Sequence, residues 1–416
     1  MKKMTLPGLF SINTYWLGLS FMWNSLHPIV LPAVMLHLVP DESKNTYLGL
    51  LTFFGLILAM VIQPISGAIS DGWHSRLGKR RPLAIIGTAL DFLFLAILAW
   101  SGSLVAVIIG YVGLQMASNI AHGPMQGLLP DLVPDEQMGS ASGLKNLMDM
   151  GGLIIASLAA GHLLSPDARH PTGIMIVVML VLAASACVTF LTTREQPSLA
   201  ATESKGPFSL RQSIKLDIKN HKSFFWLILS RLVFLLGVYG IQTFAQYYIR
   251  DVMQAANPVK ATGDLMAALA VALVACSLLG GWLTDKFGER RVLVLASLIT
   301  AIGCILLVQA RDLGMLTLYG GVMGAGIGFF LTSNWSLASR LAPKEQAGKF
   351  LGLTNIATAG ASALSKLWGI PIDILNHSYP GEFLGYSALF SFGAVCGLLS
   401  LAVLARVYRS RPEFPN

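Results

Sequence analysis

The chain has 416 residues, of which 54% are apolar and only 12% charged, with a formal net charge of +8, whereas soluble domains carry about 25% charged residues. That balance, with a mean hydropathy of +0.65, excludes a disordered chain, a secreted disulfide scaffold and an ordinary cytosolic enzyme. The four cysteines, Cys187, Cys276, Cys304 and Cys396, sit apart in apolar runs and show neither metal spacing nor a disulfide framework.

A membrane helix needs about 20 mostly apolar residues. Twelve such runs are predicted, at 9–38, 46–69, 82–101, 104–128, 142–164, 171–193, 223–249, 263–284, 292–309, 314–339, 350–375 and 382–407. The Met1–Lys3 head is basic, but no small-residue cleavage site follows the first run, so it reads as a true span. Counting Lys145 and Arg406 near the ends of their spans, 22 Lys and Arg residues fall on the side that holds both termini and 5 on the other. The positive-inside bias predicts cytoplasmic termini in a multi-pass plasma-membrane protein. The positive charge then belongs to topology and anionic lipid, and no nucleic-acid partner is needed.

The polar stretch 194–222 falls near mid-chain and reads as a cytoplasmic linker, with a short surface helix expected from Leu210 to His221. It separates an N-terminal six-helix bundle, 1–193, from a C-terminal one, 223–416. The halves repeat. Gly67-Ala-Ile-Ser-Asp71 matches Gly281-Trp-Leu-Thr-Asp285, and Gly78-Lys-Arg80-Arg81 matches Gly288-Glu-Arg290-Arg291. Further on, Leu132-Val-Pro134-Asp-Glu136-Gln137-Met-Gly139 matches Leu341-Ala-Pro343-Lys-Glu345-Gln346-Ala-Gly348 at an offset of 209. Two parallel six-span repeats predict an all-α transporter with its substrate site between the halves.

Gly281-x-x-x-Asp285-Lys286-x-Gly288-x-Arg290-Arg291 fits the loop motif of the major facilitator superfamily, which the chain resembles over nearly its whole length. The motif is expected to act as a latch. Glycines allow tight turns or close approach, Asp71 and Asp285 suit helix N-termini, and Arg80, Arg81, Arg290 and Arg291 can reach opposing carboxylates. The alternative is a set of basic loop residues serving topology alone. Asp131 and Arg340 occupy equivalent repeat positions with opposite charge, and are expected to bridge the halves or fix a loop.

A narrower resemblance lies over about 60–135. Gln63-Pro64-Ile65-x-Gly67-x-x-Ser70-Asp71, the loop ending Gly78-Lys79-Arg80-Arg81-Pro82, and Asn119-x-x-x-Gly123-Pro124 are similar to the glycoside–pentoside–hexuronide group, above all its sucrose–proton symporters. That resemblance implies uptake of a sugar or glycoside with a proton. Those symporters carry an Asp in span 4 where this chain has Gln115, which does not titrate. The sodium-coupled melibiose branch expects acidic residues in span 2, and 46–69 has none.

Charged and polar groups at membrane depth are the natural site candidates. Span 1 offers Trp23, Asn24 and His27; span 4 offers Gln115 and Asn119. His27 and Asp149 are the candidate proton carriers, against a neutral hydrogen-bonded histidine and an internal Lys145–Asp149 pair as the plainer readings. Arg231, Gln242, Asn334 and Lys366 are candidate cargo ligands, because guanidinium, ammonium and amide groups bond sugar hydroxyls. For Lys366 a structural ion pair is the alternative, with Asp373 on roughly the same face. Asp91 in span 3 is equally deep, but in the superfamily that span usually lies outside the cavity.

No phosphate loop, zinc-protease motif, nucleophile elbow or dinucleotide fingerprint occurs. No enzyme activity, metal or cofactor is therefore expected. The reading is a monomeric transporter working by alternating access, probed against two alternatives: efflux of an amphipathic compound, or a non-transporting assembly or pigment-delivery factor.

Overall fold

The computed structural model describes residues 3–165, 169–193, 195, 221–343 and 347–409, and within them it is helical. The helices are α1 (Leu6–Met35), α2 (Lys44–Asp71), α3 (Arg81–Ala99), α4 (Leu104–Leu132), α5 (Met138–Leu163) and α6 (Thr172–Thr192). After the linker come α7 (Lys222–Asp251), α8 (Pro258–Phe287), α9 (Glu289–Val308), α10 (Leu313–Leu341), α11 (Ala347–Lys366), α12 (Gly369–Ser378) and α13 (Leu384–Arg409). Ten are long and apolar enough to cross a membrane. The linker expectation lies almost wholly outside the described residues.

Local chemistry sets the helix ends. Thr5, Ser103, Asn257 and Asp312 each accept a backbone N–H of the first turn through the side chain, the standard means of satisfying an orphan donor. The Asn257 cap, followed by Pro258, starts α8 five residues earlier than the hydropathy pattern does, so Lys260 and Asp264 lie inside its first turns. In α1, Leu26–Val30 widens into one π-turn. Pro28 lacks the N–H that the Asn24 carbonyl would accept, and its ring crowds that carbonyl.

The chain forms two compact units. One comprises residues 1–40 and 54–208; the other comprises 41–53 and 209–416. The first turns of α2 thus belong with the C-terminal helices, a division that the sequence reading of a 1–193 bundle does not contain. In the first unit α1 packs on α5 and α6, and α3 on α4; in the second α7 packs on α11 and α13, and α9 on α10. The same pairings recur at equivalent positions, as the internal repeat requires.

The span expected over 350–375 is not one helix. It breaks at Leu367–Trp368 into α11 and α12. Pro371 cannot donate to the Leu367 carbonyl and crowds it, so the α-ladder stops there. At the break the Gly369 backbone lies against Asn45, and a Cβ on Gly369 would stand 2.1 Å from the Asn45 carbonyl oxygen. Gly369→Ala is therefore expected to cost about 1–3 kcal/mol, the range for overpacking, read as a lower unfolding temperature of the purified protein. An unchanged midpoint would refute the close contact.

Candidate functional site

In the first unit, α1 and α4 bring the predicted residues Trp23, His27, Gln115 and Asn119 into one cluster around Tyr111. The His27 Nε2 and Tyr111 Oη are 3.0 Å apart, and Gln115 Nε2 donates to Tyr111 Oη at 2.7 Å. Asn119 Nδ2 donates to the Gln115 carbonyl at 2.8 Å. Trp23 stacks on His27 with ring centroids 4.9 Å apart and meets Tyr111 edge-on. The π-turn carries His27, and such turns are frequent at functional sites. Asn24 turns inward on its own helix, donating to the Ser20 carbonyl at 2.8 Å.

Tyr111 was missed in the sequence. Its signal was present, because Tyr111, Gln115 and Asn119 follow a four-residue spacing along one helix face. Asp149 stands apart from this cluster in its bonding. Lys145 Nζ is 3.0 Å from its carboxylate and 4.0 Å from the centroid of the Trp16 ring, which is the internal pair named above as the plainer reading.

In the second unit Arg231, 7% exposed, bridges two helices. Its Nε donates to Thr358 Oγ1 and its NH1 to Asn334 Oδ1, both at 2.9 Å. Arg231 and Asn334, predicted separately, are thus neighbours. Asn334 is fully buried and its Nδ2 has no hydrogen-bond partner. Lys366 Nζ donates to Thr243 Oγ1, while Asp373 accepts from Asn45 Nδ2 at 2.8 Å and from the Thr46 N–H at 2.6 Å. Lys366 and Asp373 therefore have different partners. Among the described residues neither Arg231 nor Lys366 has a carboxylate partner, and burying a cation that way is costly. Gln242 lines a small apolar pocket with Ile241, Tyr248, Met266, Met323 and Phe390.

Arg231→Leu is expected to raise the unfolding temperature, because it removes a buried cation held only by neutral groups, and to lower transport by at least about tenfold. Thermal unfolding and uptake of one preparation test both. A lower midpoint would show that the guanidinium holds the unit together instead.

The first motif loop is built on Arg80. Its Nε is 2.7 Å from Asp131 Oδ2 and its NH2 is 2.5 Å from Asp71 Oδ1, while Gly67 contributes a carbonyl. Burial works against the guanidinium charge, but Asp131 and Asp71 more than offset it and hold its pKa above the ordinary value. Glu195 accepts the Arg80 and Arg81 backbone N–H groups at 3.1 Å, and burial pushes its carboxyl up. The Arg81 guanidinium bonds the Phe190 carbonyl.

In the second loop Asp285, Arg290 and Arg291 are exposed, and Glu289 accepts from Arg340 NH1 at 2.6 Å. Asp131 and Arg340 each have an ion-pair partner within their own unit. Lys79 and Glu289 occupy equivalent repeat positions, so Lys79–Asp131 at 3.1 Å and Glu289–Arg340 are one structural pair with the charges exchanged. Gly78 and Gly288, at φ +95° and +82°, make the same positive-φ turn in both loops, where glycine is the default. Gly67 lies against the Gly123 backbone of α4, where a Cβ on Gly123 would stand 2.7 Å from the Gly67 nitrogen, while Gly281 has ordinary van der Waals room for a Cβ.

These helices and loops are shared with known proteins. The sequence pattern of the Major Facilitator Superfamily matches residues 8–366 and 252–416, and the chain belongs to that family of secondary transporters, as a multi-pass integral membrane protein. It is 23% identical to the multi-drug resistance efflux pump PmrA of Streptococcus pneumoniae, over 93% of each chain. It is 24% identical to the sucrose transport protein SUC3 of Arabidopsis thaliana, over 38% of this chain and 30% of that one. The crystal structure of a D-xylose–proton symporter superposes with a TM-score of 0.75 at 15% identity, covering 95% of this chain and 96% of that one.

Proposed function

We propose that the protein is a proton-driven symporter of a sugar or glycoside in the plasma membrane, acting as a monomer by alternating access. The observation that carries this reading is the Trp23–His27–Tyr111–Gln115–Asn119 cluster. It sets an aromatic face beside hydroxyl and amide groups, the chemistry that holds a neutral polyhydroxylated molecule. His27, whose imidazole ordinarily titrates close to neutral pH, lies within it. Arg231, Gln242, Asn334 and Lys366 serve as cargo ligands from the second unit. The partial match to a sucrose transport protein agrees with this reading.

A second reading, export of an amphipathic compound, is favoured by the full-length match to a multidrug efflux pump and by the apolar pocket around Gln242. Buried Arg231 and Lys366, without carboxylate partners among the described residues, argue against a cationic drug as that compound.

The test is uptake in proteoliposomes, with labelled mono- and disaccharides and a lipophilic dye, with and without an imposed proton gradient. Gradient-driven accumulation of one sugar is the expected result. Gradient-driven movement of the dye with no sugar flux would replace symport by efflux. Sugar equilibration indifferent to the gradient would remove the proton from the proposal.

A further inference from the structure

Asp91 lies in the middle of α3 and is fully buried, and among the described residues neither carboxylate oxygen has a hydrogen-bond partner. The helices around it bring no counter-charge. From α4, the residues against this stretch of α3 are Gly113, Ala117 and Ala121, which adjoin Phe94 and Gly87. The α6 helix, also packed on α3, has no charged residue between Thr172 and Thr192, and its one titratable group, Cys187, is exposed. From α1 comes Tyr15, itself fully buried, in electrostatic contact with Asp91. Its hydroxyl is 2.7 Å from that of Thr88, one turn before Asp91 on α3.

A carboxylate so placed would be a buried charge with neither a cation nor a hydrogen-bond donor from the surrounding helices, a costly state for the group. The neutral acid removes the charge. Ionisable groups inside membrane spans commonly mark proton relays, and none of the contacts described above gives Asp91 a structural task. Its surroundings are small apolar residues and one hydroxyl pair. We infer that Asp91 is a proton-binding site, carrying its proton in this conformation and exchanging it during transport. Its role in coupling rests on the proton-driven reading above; proton binding itself does not.

Infrared spectroscopy of the purified full-length protein tests the binding without cargo. The wild type is expected to show the C=O stretch of a protonated carboxyl at neutral pH. Asp91→Asn removes it, Asp91→Glu shifts it, and raising the pH abolishes it in the wild type. Asn keeps the shape of the neutral acid, and Asp91→Glu keeps the test open if Asn folds poorly. A spectrum unchanged by the substitutions, or a band indifferent to pH throughout, overturns the site.

In proteoliposomes, Asp91→Asn is expected to lose gradient-driven accumulation of the cargo at least about tenfold while keeping exchange of labelled for unlabelled cargo, which needs no net proton movement. Retained accumulation would overturn its coupling role and leave the symport reading intact. No gradient response in the wild type would instead overturn the symport reading, with the infrared result still deciding the site.

Discussion

Replacing Lys44 with methionine is expected to destabilise the second unit by about 3–5 kcal/mol, the cost of removing one partner of a buried ion pair. The Lys44 Nζ is 2.7 Å from Asp251 Oδ2, and the two side chains are 6% and 8% exposed. Tyr386 donates its hydroxyl to the same carboxylate oxygen at 2.7 Å, and Arg250 reaches Asp41 at 2.5 Å and Asp251 at 3.5 Å. Without Lys44, Asp251 keeps one hydroxyl and a long contact to Arg250, so the buried charge is poorly compensated. The double variant Lys44→Met with Asp251→Leu is expected to regain most of the loss, because replacing both partners removes the unpaired charge. Chemical denaturation in detergent reads both. A single variant as stable as the wild type would refute the account. The exposed partner Asp41 predicts a much smaller effect, at most about 1 kcal/mol for Asp41→Asn.

Arg80→Lys is expected to cut transport by at least about tenfold, although it keeps the charge. Arg80 uses separate nitrogens for Asp131, Asp71 and the Ser70 hydroxyl, and its guanidinium packs against Gly127. A lysine ammonium is a single point of charge and cannot span these acceptors. Arg340→Ala is expected to be mild, with a stability cost of at most about 1 kcal/mol, because Arg340 is 62% exposed and makes one ion pair. The two loops share a repeat motif, yet only the first encloses its arginine. Equal losses from Arg80→Lys and Arg340→Ala, measured as initial uptake rates, would show that the motif acts through net charge and not through geometry.

Exchanging the charges of Lys79 and Asp131 follows from the same comparison. The second unit places the acid at the start of α9 and the base on α10, the reverse of the charges on Lys79 and Asp131. A repeat offset shows that two residues are equivalent in their own bundles, and here the equivalence extends to one ion pair in each.

The amino-acid chain alone carries the helical class, the membrane setting, the duplication and the turn glycines Gly78 and Gly288. Each follows from a local or periodic property: apolar run length, repeat offset, or a backbone conformation that glycine adopts without strain. It also marked Trp23, His27, Gln115, Asn119, Arg231 and Asn334 singly, since a polar residue inside an apolar run is conspicuous wherever it points. The folded structure settles which of them touch, because side-chain partners more than a hundred residues apart, such as Arg231 and Asn334, depend on how helices pack. It decided that α11 and α12 are two helices, where Pro371 breaks the ladder and the Gly369 backbone closes on Asn45. It grouped residues 41–53 with the C-terminal helices, through Lys44–Asp251 and Asn45–Asp373 contacts that no pattern in a single apolar run encodes. And it left Asp91 without a hydrogen-bond partner among the described residues, which cannot be read from a sequence, because being unpaired is a property of everything around a residue.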